Sequence, residues 1–173
     1  MRHELCFKTD MKNKATELVK VFKQKKLTIA LAESVTCGLA AHKLAGAKGT
    51  SDILKGAIVC YSPDVKCKLL CVPQNKIEKY TCESMEVTSE LVKGLKKLIE
   101  ADVYAAITGL ASPGGSENKN KPVGTVFMVV KFRNKNYKQK KVFRGSPLQI
   151  RTQAVLSLYH FILSTIQEYK YLR

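Results

Sequence analysis

Short apolar segments of this chain alternate with longer segments of helical periodicity, and this alternation limits the possible fold more than any other feature. Residues 27–32 are an apolar run with the length of a buried strand, whereas Ala15, Leu18, Val19 and Phe22 recur at the spacing of one helix face. Such alternation is typical of an α/β sheet that helices cover on both faces. The predicted strands are 27–32, 56–61, 103–108, 123–132 and 137–143.

Helical patterns lie between these strands and at both ends of the series. They cover 11–25 and 38–45, and others begin after Ser62, Ser84 and Ser146, three serines that can cap a helix. The last two strands form a hairpin, so the sheet is mixed. With no internal repeat and no linker, the sequence predicts one α/β domain over 1–173, a three-layer α/β/α sandwich with its core at about 11–168.

The charge of this chain is its one extreme bulk property. Thirty Lys and Arg residues face 14 Asp and Glu residues, a formal net charge of +16. An acidic partner such as nucleic acid is one interpretation, and a solvated lysine-rich surface is the other. We favour the second, because arginine clusters and exposed aromatic residues, which nucleic-acid binding would predict, are missing. The lysines in 138–141 are suited to protecting an edge strand.

Cysteine and histidine spacing predicts no metal site. The six cysteines form no CxxC pair, and the three histidines lie far apart in the sequence. The first thirty residues do not resemble a signal peptide, and no apolar run approaches the length of a membrane span. We therefore expect reduced thiols, a cytoplasmic location and no membrane contact.

Ser34 follows the first strand directly, at a strand-to-helix turn, which is a place where a serine side chain becomes accessible. Tyr61 ends the next strand, and Lys66 lies in the helix after it. A neutral lysine can deprotonate a serine hydroxyl, and no histidine is near enough in sequence to suggest a conventional triad. The sequence thus raises the hypothesis of a Ser-Lys amide hydrolase.

Four motifs in order carry a resemblance to a known family. They are 32–38 (AESVTCG), 61–73 (YSPDVKCKLLCVP), 108–115 (TGLASPGG) and 121–126 (KPVGTV). Together they resemble the C-terminal domain of the competence-damage protein CinA, a family that includes stand-alone nicotinamide-nucleotide amidohydrolases. The resemblance runs from about Leu27 to Leu163.

The resemblance implies deamidation of nicotinamide mononucleotide to nicotinate mononucleotide and ammonia. It assigns Ser34 as nucleophile, Lys66 as base and Tyr61 as an assisting group, with backbone N–H groups at the start of the helix after Ser34 holding the oxyanion. Glu33 is expected to be structural, bonding amides of the turn. The resemblance implies no cofactor and no metal, and it implies a homo-oligomer. The expected substrate-binding residues are Thr36, Gly38, Thr108, Gly109, Gly114, Gly115, Arg144 and Arg151.

The chain also departs from the family pattern. Val35 and Cys37 replace a cysteine and a glycine of the first motif, and Glu83 stands where an apolar residue is usual. Pro147 occupies the position of an arginine that would be a natural phosphate ligand, which leaves Arg144 and Arg151 as candidates. A catalytically inactive or regulatory relative that binds nucleotides is therefore the alternative, with a basic nucleic-acid-binding protein behind it.

Overall fold

The structure, a computed structural model, describes residues 2–168, and it describes the side chains of residues 9–167. The strands are β1 (Ile29–Glu33), β2 (Leu54–Val59), β3 (Val103–Gly109), β4 (Thr125–Phe132) and β5 (Lys135–Val142). The helices are α1 (Arg2–Lys25), α2 (Leu39–Ala45), α3 (Pro63–Leu70), α4 (Gln74–Tyr80), α5 (Met85–Leu98) and α6 (Pro147–Glu168), with a short 3-10 turn at Thr50–Asp52.

The five strands form one mixed sheet in the order β2-β1-β3-β4-β5. Strand β1 runs parallel to both β2 and β3, whereas β4 is antiparallel to β3 and β5 is antiparallel to β4. Three parallel strands therefore end at the same edge of the sheet, with β1 between the other two. In α/β folds ligands bind at such carboxyl ends.

Helices cover both faces of the sheet and produce two separate apolar cores. Helices α1, α2 and α6 pack on one face, against side chains such as Ile29, Leu31 and Ile107. Helix α5, with α3 and α4, packs on the other face, against Ala30, Ala32 and other residues. The predicted three-layer α/β/α arrangement with a terminal hairpin is confirmed, because alternate side chains of the central strands enter opposite cores.

Several details differ from the sequence prediction. Helix α4 was not predicted, since none of its residues is buried and no side chain caps its start. Leu98 was expected on the inner face of α5 but is 51% exposed, because the helix ends there. The lysine-rich strand β5 does lie at a sheet edge, where charged side chains discourage pairing with another strand.

Candidate active site

The Ser34 turn is fixed at the end of the central strand β1. The Ser34 N–H donates to the carbonyl of Ile107 in β3 at 3.0 Å, which ties the turn to the neighbouring parallel strand. Ser34 is 6% exposed. Its hydroxyl therefore lies at the switch from strand to helix, at the sheet edge where ligands of α/β folds are bound.

Glu33 holds this turn together from the inside. Its fully buried carboxylate accepts hydrogen bonds from the Thr36 hydroxyl at 2.6 Å and from the N–H groups of Gly38, Ala40 and Ala41 at 3.1, 3.0 and 2.8 Å. A buried negative charge is stabilised by such donors and by the start of a helix. The carboxylate thus acts on the conformation of the turn.

This arrangement corrects the predicted position of the oxyanion donors. The N–H groups of Gly38, Ala40 and Ala41 are already bonded to the buried carboxylate, so the start of α2 cannot hold an oxyanion. The N–H groups of Val35 and Thr36 have no hydrogen-bond partner within the described residues. These two amides, directly after the serine, are the available donors.

Lys66 reaches Ser34 from the helix that follows β2. Ser62 caps α3 by accepting from the Val65 N–H, and Pro63 occupies the first helical position, so the helix starts directly after the strand. The Lys66 Nζ donates to the Ser34 Oγ at 3.2 Å, although the two residues are 32 positions apart. Lys66 is fully buried, which makes it unlike the many solvated lysines of the chain.

Two backbone carbonyls fix the Lys66 amine. The Nζ donates to the carbonyl of Cys60 at 2.8 Å and to that of Tyr61 at 2.7 Å, and none of the ion pairs between described residues includes Lys66. Because two of its N–H groups donate to carbonyls, the Nζ is held in one position beside the Ser34 hydroxyl.

Cys60 lies beside this pair but is a poor nucleophile. Its thiol donates to the Glu33 carbonyl at 3.5 Å, and burial raises the pKa of Cys60 to about 11. Because the thiolate is the reactive form of cysteine, a thiol with this pKa stays protonated and unreactive at neutral pH. Ser34 therefore stays the candidate nucleophile of this part of the site.

Tyr61 contributes its backbone to the site. Its carbonyl accepts from the Lys66 Nζ, while its side chain is 62% exposed and makes no hydrogen bond to Ser34 or Lys66. Assistance by the Tyr61 side chain stays a prediction, since only the carbonyl contacts Lys66 while the ring lines both cavities.

Two neighbouring cavities lie at this edge of the sheet. The first, about 290 Å³, we call the serine cavity; it is lined by Ser34, Val35, Tyr61, Glu83, segment 109–115 and Arg151. The second, about 490 Å³, we call the outer cavity; it is lined by segment 36–39, His42, Tyr61, Leu148 and Arg151. Tyr61 and Arg151 border both, so the two cavities lie side by side.

The two candidate arginines have different positions. Arg151, on α6, donates from its Nε to the Val35 carbonyl at 3.0 Å and lines both cavities. Arg144 is exposed and lines neither cavity, and its carbonyl accepts from the Gln153 side chain. Of the two candidate arginines, the structure therefore places only Arg151 at the cavities.

Thr108 does not reach the cavities either. It is fully buried, and its hydroxyl is paired with that of Thr88 on α5 at 2.8 Å. Contrary to expectation, Thr108 therefore does not contact the substrate directly. It links β3 to α5 instead. Gly109, the next residue, does line the serine cavity, as expected of a substrate-binding position.

The glycine-rich loop also differs from expectation. Gly114 and Gly115 line the serine cavity, but their N–H groups donate to the Glu117 carboxylate at 2.7 and 2.8 Å. These bonds, that from Gly114 first, lower the pKa of Glu117. Both amides are therefore already hydrogen-bonded within the loop. The two glycines contribute only the shape of the cavity wall to ligand binding.

Sequence reasoning missed a cluster that fixes this loop, which we call the Lys121 cluster. The Lys121 Nζ donates to the Thr81 hydroxyl at 2.6 Å, to the Ser116 hydroxyl at 2.7 Å and to the Glu83 carbonyl at 3.1 Å. The Ser116 hydroxyl in turn donates to the Glu83 carboxylate. Lys121 stood in a recognised motif, but nothing in the sequence indicated its partners, which lie 35 or more positions away along the chain or within the loop itself.

Within the described residues, no group of three or more His, Cys, Asp or Glu side chains is arranged to hold a metal ion. None of the helices of this same part of the chain is both long and apolar enough to cross a membrane.

A serine and a buried lysine in contact at the carboxyl edge of a mixed sheet define an α/β protein with a Ser-Lys pair. Residues 11–166 match the family model of the CinA C-terminal domain. The chain therefore belongs to the CinA C-terminal domain family, as its four motifs indicated.

Known relatives agree with this assignment. A CinA-like protein of Thermotoga neapolitana is 37% identical over 139 residues, which are 80% of this chain and 34% of the relative. A CinA-like protein of Fusobacterium nucleatum is 37% identical over 145 residues, 84% of this chain and 35% of the relative. The chain thus spans about a third of the length of these curated relatives.

The fold also matches a solved structure. The crystal structure of a competence-damaged protein (CinA) superfamily protein from Escherichia coli has a TM-score of 0.85 and 30% identity to this chain. The match covers 90% of each chain. It confirms the mixed five-stranded sheet and its helical layers.

Proposed function

We propose that this protein is an amidohydrolase that removes the carboxamide nitrogen of nicotinamide mononucleotide, producing nicotinate mononucleotide and ammonia. The observation that carries the proposal is the 3.2 Å contact between the Lys66 Nζ and the Ser34 Oγ. A fully buried lysine without an ion-pair partner is costly as a cation, and its contact with a serine at a cavity is the arrangement that amine-assisted acyl transfer requires.

The chemistry divides into acylation and deacylation. The Lys66 amine takes the Ser34 proton while the Oγ attacks the amide carbon, and the negative charge moves to the amide oxygen beside the Val35 and Thr36 N–H groups. The ammonium of Lys66 then protonates the amide nitrogen, the C–N bond breaks, and ammonia leaves. Water attacks the resulting ester while Lys66 accepts a proton from it; the bond between the acyl carbon and the Ser34 Oγ then breaks, Lys66 returns the proton to the Oγ, and nicotinate mononucleotide is released.

Two cavities side by side support a nucleotide rather than a small free amide as the ligand. A pyridine ring in the serine cavity would place its amide at Ser34, and the ribose and phosphate would extend into the outer cavity. Arg151 borders both cavities, and its guanidinium is the group of this region best suited to an anionic phosphate. Thr36 and Gly38 line the outer cavity, where they would contact the same part of the ligand.

Location and assembly follow as further proposals. The five cysteines described, at 37, 60, 67, 71 and 82, are free thiols, which supports a reducing compartment such as the cytoplasm. Cys6 lies outside the residues whose side chains are described. Self-association rests on the family resemblance, and light scattering of the purified protein tests it.

Ammonia release from nicotinamide mononucleotide tests the reaction. We expect release by the wild type, and loss of at least about a thousandfold in Ser34→Ala and in Lys66→Ala. Lys68→Ala is the matched control, because Lys68 lies on the same helix and is solvated. Retained release by Ser34→Ala would remove the covalent mechanism.

A non-catalytic nucleotide-binding relative is the second candidate. Cys37 and Pro147 at motif positions favour it, as do the Gly114 and Gly115 amides already bonded to Glu117. Binding of the nucleotide by folded wild type without ammonia release would favour this candidate. Nucleic-acid binding predicts instead a DNA shift that weakens steeply as salt is raised.

A further inference from the structure

Only two of the residues that line the serine cavity carry a formal charge, and the two charges have opposite sign. They are Glu83, just before the start of α5, and Arg151 on α6. Glu83 is notable because the chain as a whole has 30 basic and only 14 acidic residues. A carboxylate among the walls of a cavity in such a basic protein indicates a charge requirement of the ligand.

The Glu83 carboxylate is held in place and forms no ion pair among the described residues, although it interacts electrostatically with the nearby Lys121. Its Oε2 accepts a hydrogen bond from the Ser116 hydroxyl, while its Oε1 has no hydrogen-bond partner within the described residues. None of the ion pairs of this part of the chain includes Glu83. The nearby Lys121 donates to the Glu83 backbone carbonyl and to two hydroxyls, not to the carboxylate.

Its partners therefore fix the position of the carboxylate while leaving its charge available. A neutral hydroxyl donor orients one oxygen without cancelling the negative charge, and Lys121 keeps Ser116 in position for that bond. Electrostatic preorganisation of this kind acts on charge in a bound ligand, because no reorganisation is needed when the ligand enters.

We propose that Glu83 is a specificity-determining residue that selects amides carried on a cationic ring, such as a quaternary pyridinium, over the same amides on a neutral ring. The proposal rests on the proposed function for the placement of the amide at Ser34. A pyridinium nucleotide has a positive ring and a negative phosphate, and the serine cavity offers Glu83 to the first and Arg151 to the second. The selectivity thus comes from the charge of the Glu83 carboxylate, which Ser116 only helps to orient.

Oxidised and reduced nicotinamide mononucleotide test this selectivity directly. They share the amide, ribose and phosphate, but only the oxidised ring is cationic. Dissociation constants for both are measured by calorimetry with Ser34→Ala protein, so that turnover does not interfere, and kcat/KM is measured with the serine intact. The variants are Glu83→Gln, which keeps an acceptor for Ser116, and Glu86→Gln, an exposed control on the first turn of α5.

We expect Glu83→Gln to weaken binding of the oxidised nucleotide about tenfold and that of the reduced nucleotide less than about twofold. Glu86→Gln should leave the ratio unchanged. Ser116→Ala retains the carboxylate and should retain most of the preference. The wild-type preference itself should shrink as salt rises, since partly exposed charges are screened, and this measurement needs no variant.

Three results would overturn the inference. An equal loss for both nucleotides in Glu83→Gln would mean a structural role, and an equal loss in Ser116→Ala and Glu83→Gln would mean the same. A wild-type preference that does not respond to salt would also contradict it. If the wild type binds neither nucleotide, the proposed function and the inference fail together, whereas ammonia release with no charge preference removes the inference alone.

Discussion

Two walls of the serine cavity are each organised by a lysine, and the two lysines have different surroundings. Lys66 is fully buried and directs its amine at two carbonyls and at the Ser34 hydroxyl. Lys121 is half-buried and bonds the hydroxyls of Thr81 and Ser116 and the Glu83 carbonyl. Both make three hydrogen bonds, so bond number does not distinguish a reactive lysine from a supporting one.

The difference lies in what the lysine contacts at the cavity. The Lys66 amine touches a nucleophile that lines the cavity, whereas the partners of Lys121 hold the loop and the Glu83 side chain in position. The pKa of Lys121 is lowered, mainly by burial, and the Glu83 charge opposes this shift. From these contacts we propose a catalytic role for Lys66 and a positioning role for Lys121.

Removal of the Lys66 amine should have the largest effect. Lys66→Met keeps the length of the side chain and removes the base, so kcat should fall by about a thousandfold or more. The melting temperature should change little, because the two carbonyls lose a donor while a buried amine that has no ion-pair partner is also removed. Steady-state ammonia release and calorimetric melting check this. A loss of activity in parallel with a loss of folding would contradict a catalytic role.

The packing behind Lys66 should give the next largest effect. A methyl group at Gly94 on α5 would lie 2.0 Å from the Leu70 carbonyl oxygen, at the end of the helix that carries Lys66. Gly94→Ala should therefore lower the free energy of unfolding by about 3 kcal/mol and reduce activity by displacing α3. Urea unfolding measures the first effect, and Lys96→Ala, on the exposed side of α5, is the control. Unchanged stability would mean that α3 moves freely.

Removal of the Lys121 amine should have a smaller effect of a different kind. Lys121→Met removes three hydrogen bonds of the loop, so KM for the nucleotide should rise about tenfold, with kcat reduced less than about threefold. Lys119→Met is the matched control, since Lys119 is exposed in the same loop. If kcat falls as far as in Lys66→Met, the distinction between the two walls is wrong.

The smallest effect is expected at Cys37, on the Ser34 side of the site. Cys37 has φ +50, a left-handed conformation that disfavours side chains, at a motif position where glycine is usual. Cys37→Gly relieves this strain but increases the freedom of the unfolded chain, so stability should change by less than about 1 kcal/mol. The wider outer cavity should lower KM slightly. Thermal melting checks the stability and steady-state kinetics check KM. A large change in stability would mean that relief of the backbone strain and the added freedom of the unfolded chain do not offset each other.

The sequence predicted the fold well because the strands and most helices repeat one simple pattern. Buried runs such as 103–108 and the helix face at Val155, Leu158 and Ile162 are local signals, and all of these helix residues are buried. Helix α4 escaped prediction because it buries no residue, so it has no apolar face to detect. Periodicity finds an element only through the side chains that the element buries.

The site was predicted less completely, for a related reason. Ser34 and Lys66 were identified from motifs, but their contact depends on β2 lying beside β1, which only the fold fixes. Hydrogen-bond partners such as Glu117 for the glycine amides, or Thr88 for Thr108, leave no pattern in the sequence. Residues bonded across loops could therefore not be predicted from the sequence. Glu83 was noted only because it departs from the family pattern.

The bond between Arg151 and the Val35 carbonyl joins residues 116 positions apart and has a consequence for synthesis on the ribosome. A nascent chain contains Ser34 and Lys66 long before α6 emerges to complete the binding region. We therefore expect ammonia release to begin only once this helix has docked. A chain stalled before residue 147 should release no ammonia. Ammonia release by such a stalled chain would show that activity does not depend on docking of α6.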